Sequence, residues 1–123
     1  MNSISNYKTV FSISAKNDLY KIFSYYRENQ INTNLQKFIN QLNNVLSIIE
    51  EYPSSGIVTF TRHNYTFRKM ILINHIIIYY VDEESKILNI FRIFHQSEDY
   101  QKKLSIHERV AKHLKGMINL LNN

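Results

Sequence analysis

Six consecutive residues, "IIIYYV" (76–81), constrain this chain more than any other stretch in it. A strand with one wet face alternates apolar and polar side chains, because successive side chains point to opposite sides of the sheet. This run has no polar position and is β-branched and aromatic throughout, so it predicts a strand covered on both faces and central in its sheet. The remainder of the chain must then supply neighbouring strands and the layers that cover them.

Strand-forming runs stand on both sides of it. "IVTF" (57–60), "YTFRKMILI" (65–73) and "KILNIFRIF" (86–94) are rich in β-branched and aromatic residues and are separated by short polar turns, Asn74 and "DEES" (82–85) among them. Upstream, "YKTVFSI" (7–13) predicts one more strand, after which Ser14 offers an N-cap oxygen and Asp18 lies near the positive helix start. The first helix carries an apolar stripe of Ala15, Leu19, Ile22, Phe23 and Tyr26. Thr33 is the expected cap of a second helix, whose stripe is Leu35, Phe38, Ile39, Leu42, Val45, Leu46 and Ile49, and Pro53 and Gly56 stop it. So short a break between two amphipathic helices implies an antiparallel hairpin lying on the sheet.

Beyond the last strand, Tyr100, Leu104, His107, Ala111, Leu114, Ile118 and Leu121 recur at helical spacing, which predicts a C-terminal helix over residues 98–122. The order is β-α-α-β-β-β(β)-α. The expected class is α+β, an antiparallel sheet packed against an N-terminal helix hairpin. With 123 residues, 2 glycines and 1 proline, the chain has room for one core and little material for linkers, so residues 1–123 read as a single domain.

Cysteine is absent, which excludes disulfides, thiolate metal sites and a Cys nucleophile. The N-terminus lacks the basic-then-apolar pattern of a secretion signal, and no apolar run reaches the roughly 18 residues of a membrane span. A cytoplasmic protein without membrane partners is the expectation. The net charge of +5 is uneven: residues 1–61 hold 5 Lys/Arg against 4 acids, and residues 62–123 hold 10 against 6. A positive field of this kind suits a nucleic-acid or ribosomal surface, or an acidic protein partner.

Metal and nucleotide chemistry find little support. His107 and His113 lie six residues apart, about 600° around a helix, and so do not converge as an i, i+4 pair does. Two glycines, Gly56 and Gly116, make no phosphate-cradling loop. No metal and no cofactor is expected. What remains is a basic and aromatic set on the predicted sheet: Arg62, Arg68, Lys69, Arg92 and His95, with Tyr100 just beyond. A metal-independent ribonuclease needs a base for the 2′-OH proton, cations for the phosphorane and an acid for the leaving oxygen. Histidine is the side-chain type suited to proton exchange near neutrality, which makes His95 the candidate acid or base, and Arg68, Lys69 and Arg92 have the charge to hold phosphate. Strict alternation puts Leu88, Ile90, Arg92 and Phe94 on one face of the last strand and Ile87, Asn89, Phe91, Ile93 and His95 on the other, so Arg92 and His95 point apart. Spacing alone therefore favours a polar strand end and a solvated basic face.

Taken in order, "FSISAKNDLYKIFSYY", "SIIEEYPSSG" and "FRKMILINHIIIYYVDEESKILNIFRIFHQSEDY" resemble the RelE/ParE superfamily of toxins from bacterial type II toxin–antitoxin modules, over about residues 7–104. The resemblance implies a small growth-arresting toxin neutralised by a cognate antitoxin. RelE- and YoeB-like members cut mRNA on the ribosome, whereas ParE-like members poison DNA gyrase. A third possibility is a degenerate member that only binds antitoxin. Ribosome-dependent mRNA cleavage is the leading expectation, with His95, Arg68 and Arg92 as catalytic residues and Arg62, Lys69 and Tyr100 binding nucleic acid. The chain departs from the ribonuclease members at Ile76, where a basic residue is usual, and at Gln96 and Glu98 after the histidine. The positive charge further implies that the antitoxin's neutralising segment is acidic.

Overall fold

The computed structural model describes residues 7–96. The element order is β1 (Lys8–Phe11), α1 (Ile13–Glu28), α2 (Asn32–Glu51), a 3-10 turn (Pro53–Ser55), β2 (Ile57–Arg62), β3 (Tyr65–Ile71), β4 (His75–Asp82) and β5 (Ile87–His95). They form a five-stranded sheet in the order β1-β5-β4-β3-β2. The α+β class and the helix hairpin are as the sequence implies. Four strands pair antiparallel, while β1 runs parallel to β5 because the two helices carry the chain away from β1 before the meander begins. The expected helix over residues 98–122 and Tyr100 lie outside the described residues. Among the described residues, no helix is long and apolar enough to cross a membrane.

The run at 76–81 is central, as its composition requires. Ile77 and Tyr79 face α1 and α2 in a core with Ala15, Phe38, Leu42, Ile49, Leu88, Ile90 and Ile93. Ile76 and Ile78 face the opposite way, in a second cluster with Phe67 and Phe94. Each fully buried aliphatic side chain contributes about 1.5–3 kcal/mol, and Ile77, Ile78, Leu88, Ile90 and Ile49 all fall in that class.

Local signals were displaced in three places. The α1 cap is Ser12, not Ser14: its Oγ accepts from the Ala15 N–H at 3.0 Å and donates to the Phe91 carbonyl at 2.7 Å, so one hydroxyl starts the helix and ties it to β5. Asp18 is not in the first turn of α1 and interacts with β5 instead. Thr33 does not cap α2, which starts at Asn32 behind Ile31 with no side-chain cap bond. Gln30 there takes a left-handed φ of 55°, turning the chain so sharply that the helix begins at once, and Ile31 packs on the core. The β2–β3 hairpin turns through His63 and Asn64, both at positive φ, the two-residue geometry whose twist matches the flanking strands.

Candidate functional site

Cross-strand pairing decides which of the six expected site residues share a face. Ile78 of β4 pairs with Lys69 of β3 on one side and Arg92 of β5 on the other, which puts both cations on the face away from the helices, about 10 Å apart across two strand spacings. Arg68 pairs with Tyr79 and so faces the helices. His95 pairs with His75, whose ring lies 4.8 Å from Phe38 of α2, so His95 also belongs to the helix side. Arg62 closes β2 opposite Tyr65 at the hairpin end of the sheet. Thus Arg68 and His95 lie on one face, and Lys69 and Arg92 on the other.

Arg92 is further committed. Its Nε and Nη2 donate to the two carboxylate oxygens of Asp18 at 2.8 and 3.1 Å, and the same Asp18 accepts the Ile93 N–H at 2.9 Å. The side chains are only 20% and 10% exposed, and the guanidinium lies 4.5 Å from the Phe94 ring centre. The pairing has a topological cause. Strand β1 ends at Phe11, which leaves the edge of β5 beyond Ile90 unpaired by strand, and α1 runs along that edge. Ser12 and Asp18 satisfy the backbone there: the Ser12 N–H donates to the Ile90 carbonyl, its hydroxyl to Phe91, and Asp18 takes Ile93.

Arg68 has a comparable role at the other end of α2. Its Nη1 donates to the carbonyls of Ser54 and Gly56 at 3.1 and 2.9 Å. Beside it the Tyr79 hydroxyl donates to the Pro53 carbonyl at 2.7 Å and accepts the Gly56 N–H at 2.9 Å. Burial pushes the Tyr79 phenol above its ordinary pKa, against the lowering effects of the Gly56 bond, Ser55 and the Arg68 charge. Together the two side chains lock the segment joining α2 to β2.

His95 ends its strand exposed, with the buried His75 ring 5.3 Å away and nearly perpendicular. Next to His75, an open groove of about 180 Å³ is lined by Lys37, Phe38, Gln41, Ile73 and Asn74. Among the described residues, no three His, Cys, Asp or Glu side chains are placed to hold a metal ion. The outer face is chiefly aromatic. Phe67 stacks on Phe60 at 4.5 Å and meets Tyr80 and Phe91 at 4.7 and 5.1 Å, with Tyr65 4.8 Å from Tyr80.

Sequence reasoning missed the Asp18–Arg92 pair, and a signal for it existed. Asp18 interrupts the apolar stripe of α1 between Ala15 and Ile22, and a carboxylate on a buried stripe requires a cation or N–H partner. The bulge in β5 had no such signal. Tyr79 pairs with Ile90 but Ile78 with Arg92, leaving Phe91 as an extra residue. The expected face of Leu88, Ile90, Arg92 and Phe94 is therefore corrected: Leu88 and Ile90 join Ile93 under the helices, while Phe94 lies opposite with Phe91.

A search of curated proteins gives no match to the chain. The family model described as the ParE toxin of type II toxin–antitoxin system, parDE, matches residues 10–100, most of the 123-residue chain. The matched span starts in β1 and runs past the end of β5, so it takes in the helix hairpin and the whole sheet. The chain belongs to the ParE toxin family of the RelE/ParE superfamily, the toxins of type II toxin–antitoxin systems, which implies a cognate antitoxin partner.

Proposed function

We propose that this toxin arrests growth as a gyrase-directed binding protein and carries out no RNA cleavage of its own. The observation supporting this reading is the division of the basic set between two faces of the sheet. An acid–base pair and a phosphate-binding cation must all reach one scissile phosphate, each within about 3 Å of its atom. Arg68 and His95 point toward the helices, Lys69 and Arg92 point away, and the Arg92 charge is already matched by Asp18. Arg68 is occupied with the carbonyls of Ser54 and Gly56.

The alternative is ribosome-dependent mRNA cleavage. Its specific support is His95, exposed at a strand end with a second imidazole in ring contact, an arrangement suited to moving a proton. Pulse labelling after induction separates the two. A gyrase-directed toxin lowers thymidine incorporation and induces DNA damage before leucine incorporation falls. If translation stops first, the cleavage reading takes its place; if neither falls and cells grow normally with folded protein present, the chain is an antitoxin-binding member without toxicity.

Both targets are cytoplasmic, so the toxin would act there. The charge of +5 supports an acidic neutralising segment in the antitoxin, because opposite potentials steer association. A neutral or basic segment in the partner would remove that account of recognition.

A further inference from the structure

His75 and His95 are far apart in sequence and directly opposite each other on β4 and β5. The Gln96 N–H donates to the Asn74 carbonyl at 2.9 Å, which makes the adjacent pair, His75 with His95, a non-hydrogen-bonded one, the kind that brings side chains closest. The Leu72 N–H donates to the His75 carbonyl at 2.8 Å across the turn at Ile73 and Asn74, so His75 is fixed from both neighbouring strands. Its ring is 4% exposed and lies 4.8 Å from the Phe38 ring, whereas His95 is exposed. One imidazole is thus held by packing while the other stands at the surface.

We propose that His75 and His95 form a two-imidazole site for a borderline divalent metal ion of the Zn²⁺ class. The spacing of the rings carries the argument. A zinc ion about 2.1 Å from an imidazole nitrogen lies about 3.2 Å from the ring centre, so two rings on one tetrahedral ion stand about 5.2 Å apart. The ring centres of His75 and His95 are 5.3 Å apart. The rings are nearly perpendicular, and rotation about the side-chain bonds of the exposed His95 brings a nitrogen into line without moving either strand. Each imidazole has two nitrogens, so one can hold a hydrogen bond while the other binds metal, the usual division in metal-bound histidine. The groove of about 180 Å³ beside His75 leaves space for the ion's waters, and the amides of Asn34, Gln41 and Asn74 line it as hydrogen-bond partners for them. Among the described residues no third His, Cys, Asp or Glu joins the pair, and Lys37 brings a positive charge to the same groove. The site is therefore an exchangeable one completed by water, unlike a four-donor structural centre. A bound ion would fasten the ends of β4 and β5 together and take the His95 lone pair away from proton exchange.

Titration of the full-length toxin with zinc chloride tests this, followed by calorimetry and by the NMR signals of the imidazole nitrogens. The His75 and His95 signals should move together, with one ion bound by the pair. His95→Gln should weaken that binding by about tenfold or more, because a single remaining imidazole loses the effective concentration of its neighbour. His75→Gln changes a buried ring, so the His75 signals of the unaltered, folded chain report its part in place of that variant. The chain also holds His107 and His113, and a His107→Gln, His113→Gln double variant should keep the coupled movement of the His75 and His95 signals. The proposal is overturned if His95→Gln binds zinc as the parent does, if the double variant abolishes the His75 and His95 shifts, or if neither heat nor shift appears up to about 1 mM zinc.

Discussion

Asp18 and Arg92 are 74 residues apart in sequence and joined by two hydrogen bonds of 2.8 and 3.1 Å. The pair fastens α1 to the one part of β5 that no strand protects on that edge. Removing the acid leaves a mostly buried guanidinium without its counter-ion and the Ile93 N–H without its acceptor. Asp18→Ala should therefore cost about 3 kcal/mol in urea unfolding, near the lower end for broken buried pairs. Asp18→Ala in an Arg92→Met background should cost clearly less, and equal costs in both backgrounds would show that the two residues do not interact energetically.

Gly56 is required by a close approach and not by its backbone angle, which is an ordinary extended φ of −73°. A Cβ there would meet the Tyr79 Oη at 2.6 Å and Cε1 at 2.7 Å, with the Arg68 Cβ at 3.0 Å. Because Tyr79 is fully buried and held by two hydrogen bonds, its ring has nowhere to retreat. Gly56→Ala should destabilise by about 1–3 kcal/mol, the usual cost of overpacking. A melting temperature unchanged from the parent would mean the junction can open without cost.

Tyr79 also gives the protein a defined alkaline limit. Its phenol is raised above the ordinary value by burial, so the neutral form is the one that folding favours. The sign follows from linkage: an unfolded tyrosine loses its proton near pH 10 while the folded one keeps it, so stability is fully present below about pH 10 and declines as the pH climbs toward the folded value. Urea midpoints measured from pH 8 to 11 should fall over that window. Tyr79→Phe should flatten the decline, starting from a lower stability by about 1–3 kcal/mol because the Gly56 N–H and the Pro53 carbonyl lose their partner.

His95→Ala distinguishes the two mechanisms at a single side chain. The residue is exposed at the end of β5, where truncation typically changes stability within about ±0.5 kcal/mol. Under the binding mechanism the variant still arrests growth. Loss of general acid–base catalysis would instead lower a cleavage rate by roughly 10²–10⁴, and cells expressing the folded variant would grow. Colony counts after induction, with circular dichroism to verify folding, read the difference directly.

The sequence by itself determined the layers. A run such as "IIIYYV" has no stable place except between two covers, and the stripes Ala15–Tyr26 and Leu35–Ile49 follow from the helical period alone, so the central strand and the hairpin above it were legible in local pattern. The faces of β5 were not. One extra residue at Phe91 reverses the alternation between Ile90 and Arg92, and a bulge depends on how β4 and β5 pair, which spacing along one strand does not encode. The same holds for the charges. Alternation along one strand already sets Arg92 and His95 apart, but which of Arg68, Lys69, Arg92 and His95 share a face depends on register between strands, and the early end of β1 lets Asp18 reach Arg92. Tertiary structure decided the fate of these residues because a side chain's direction and its partner's distance are properties of paired strands and packed helices, set by hydrogen bonds between segments far apart in sequence.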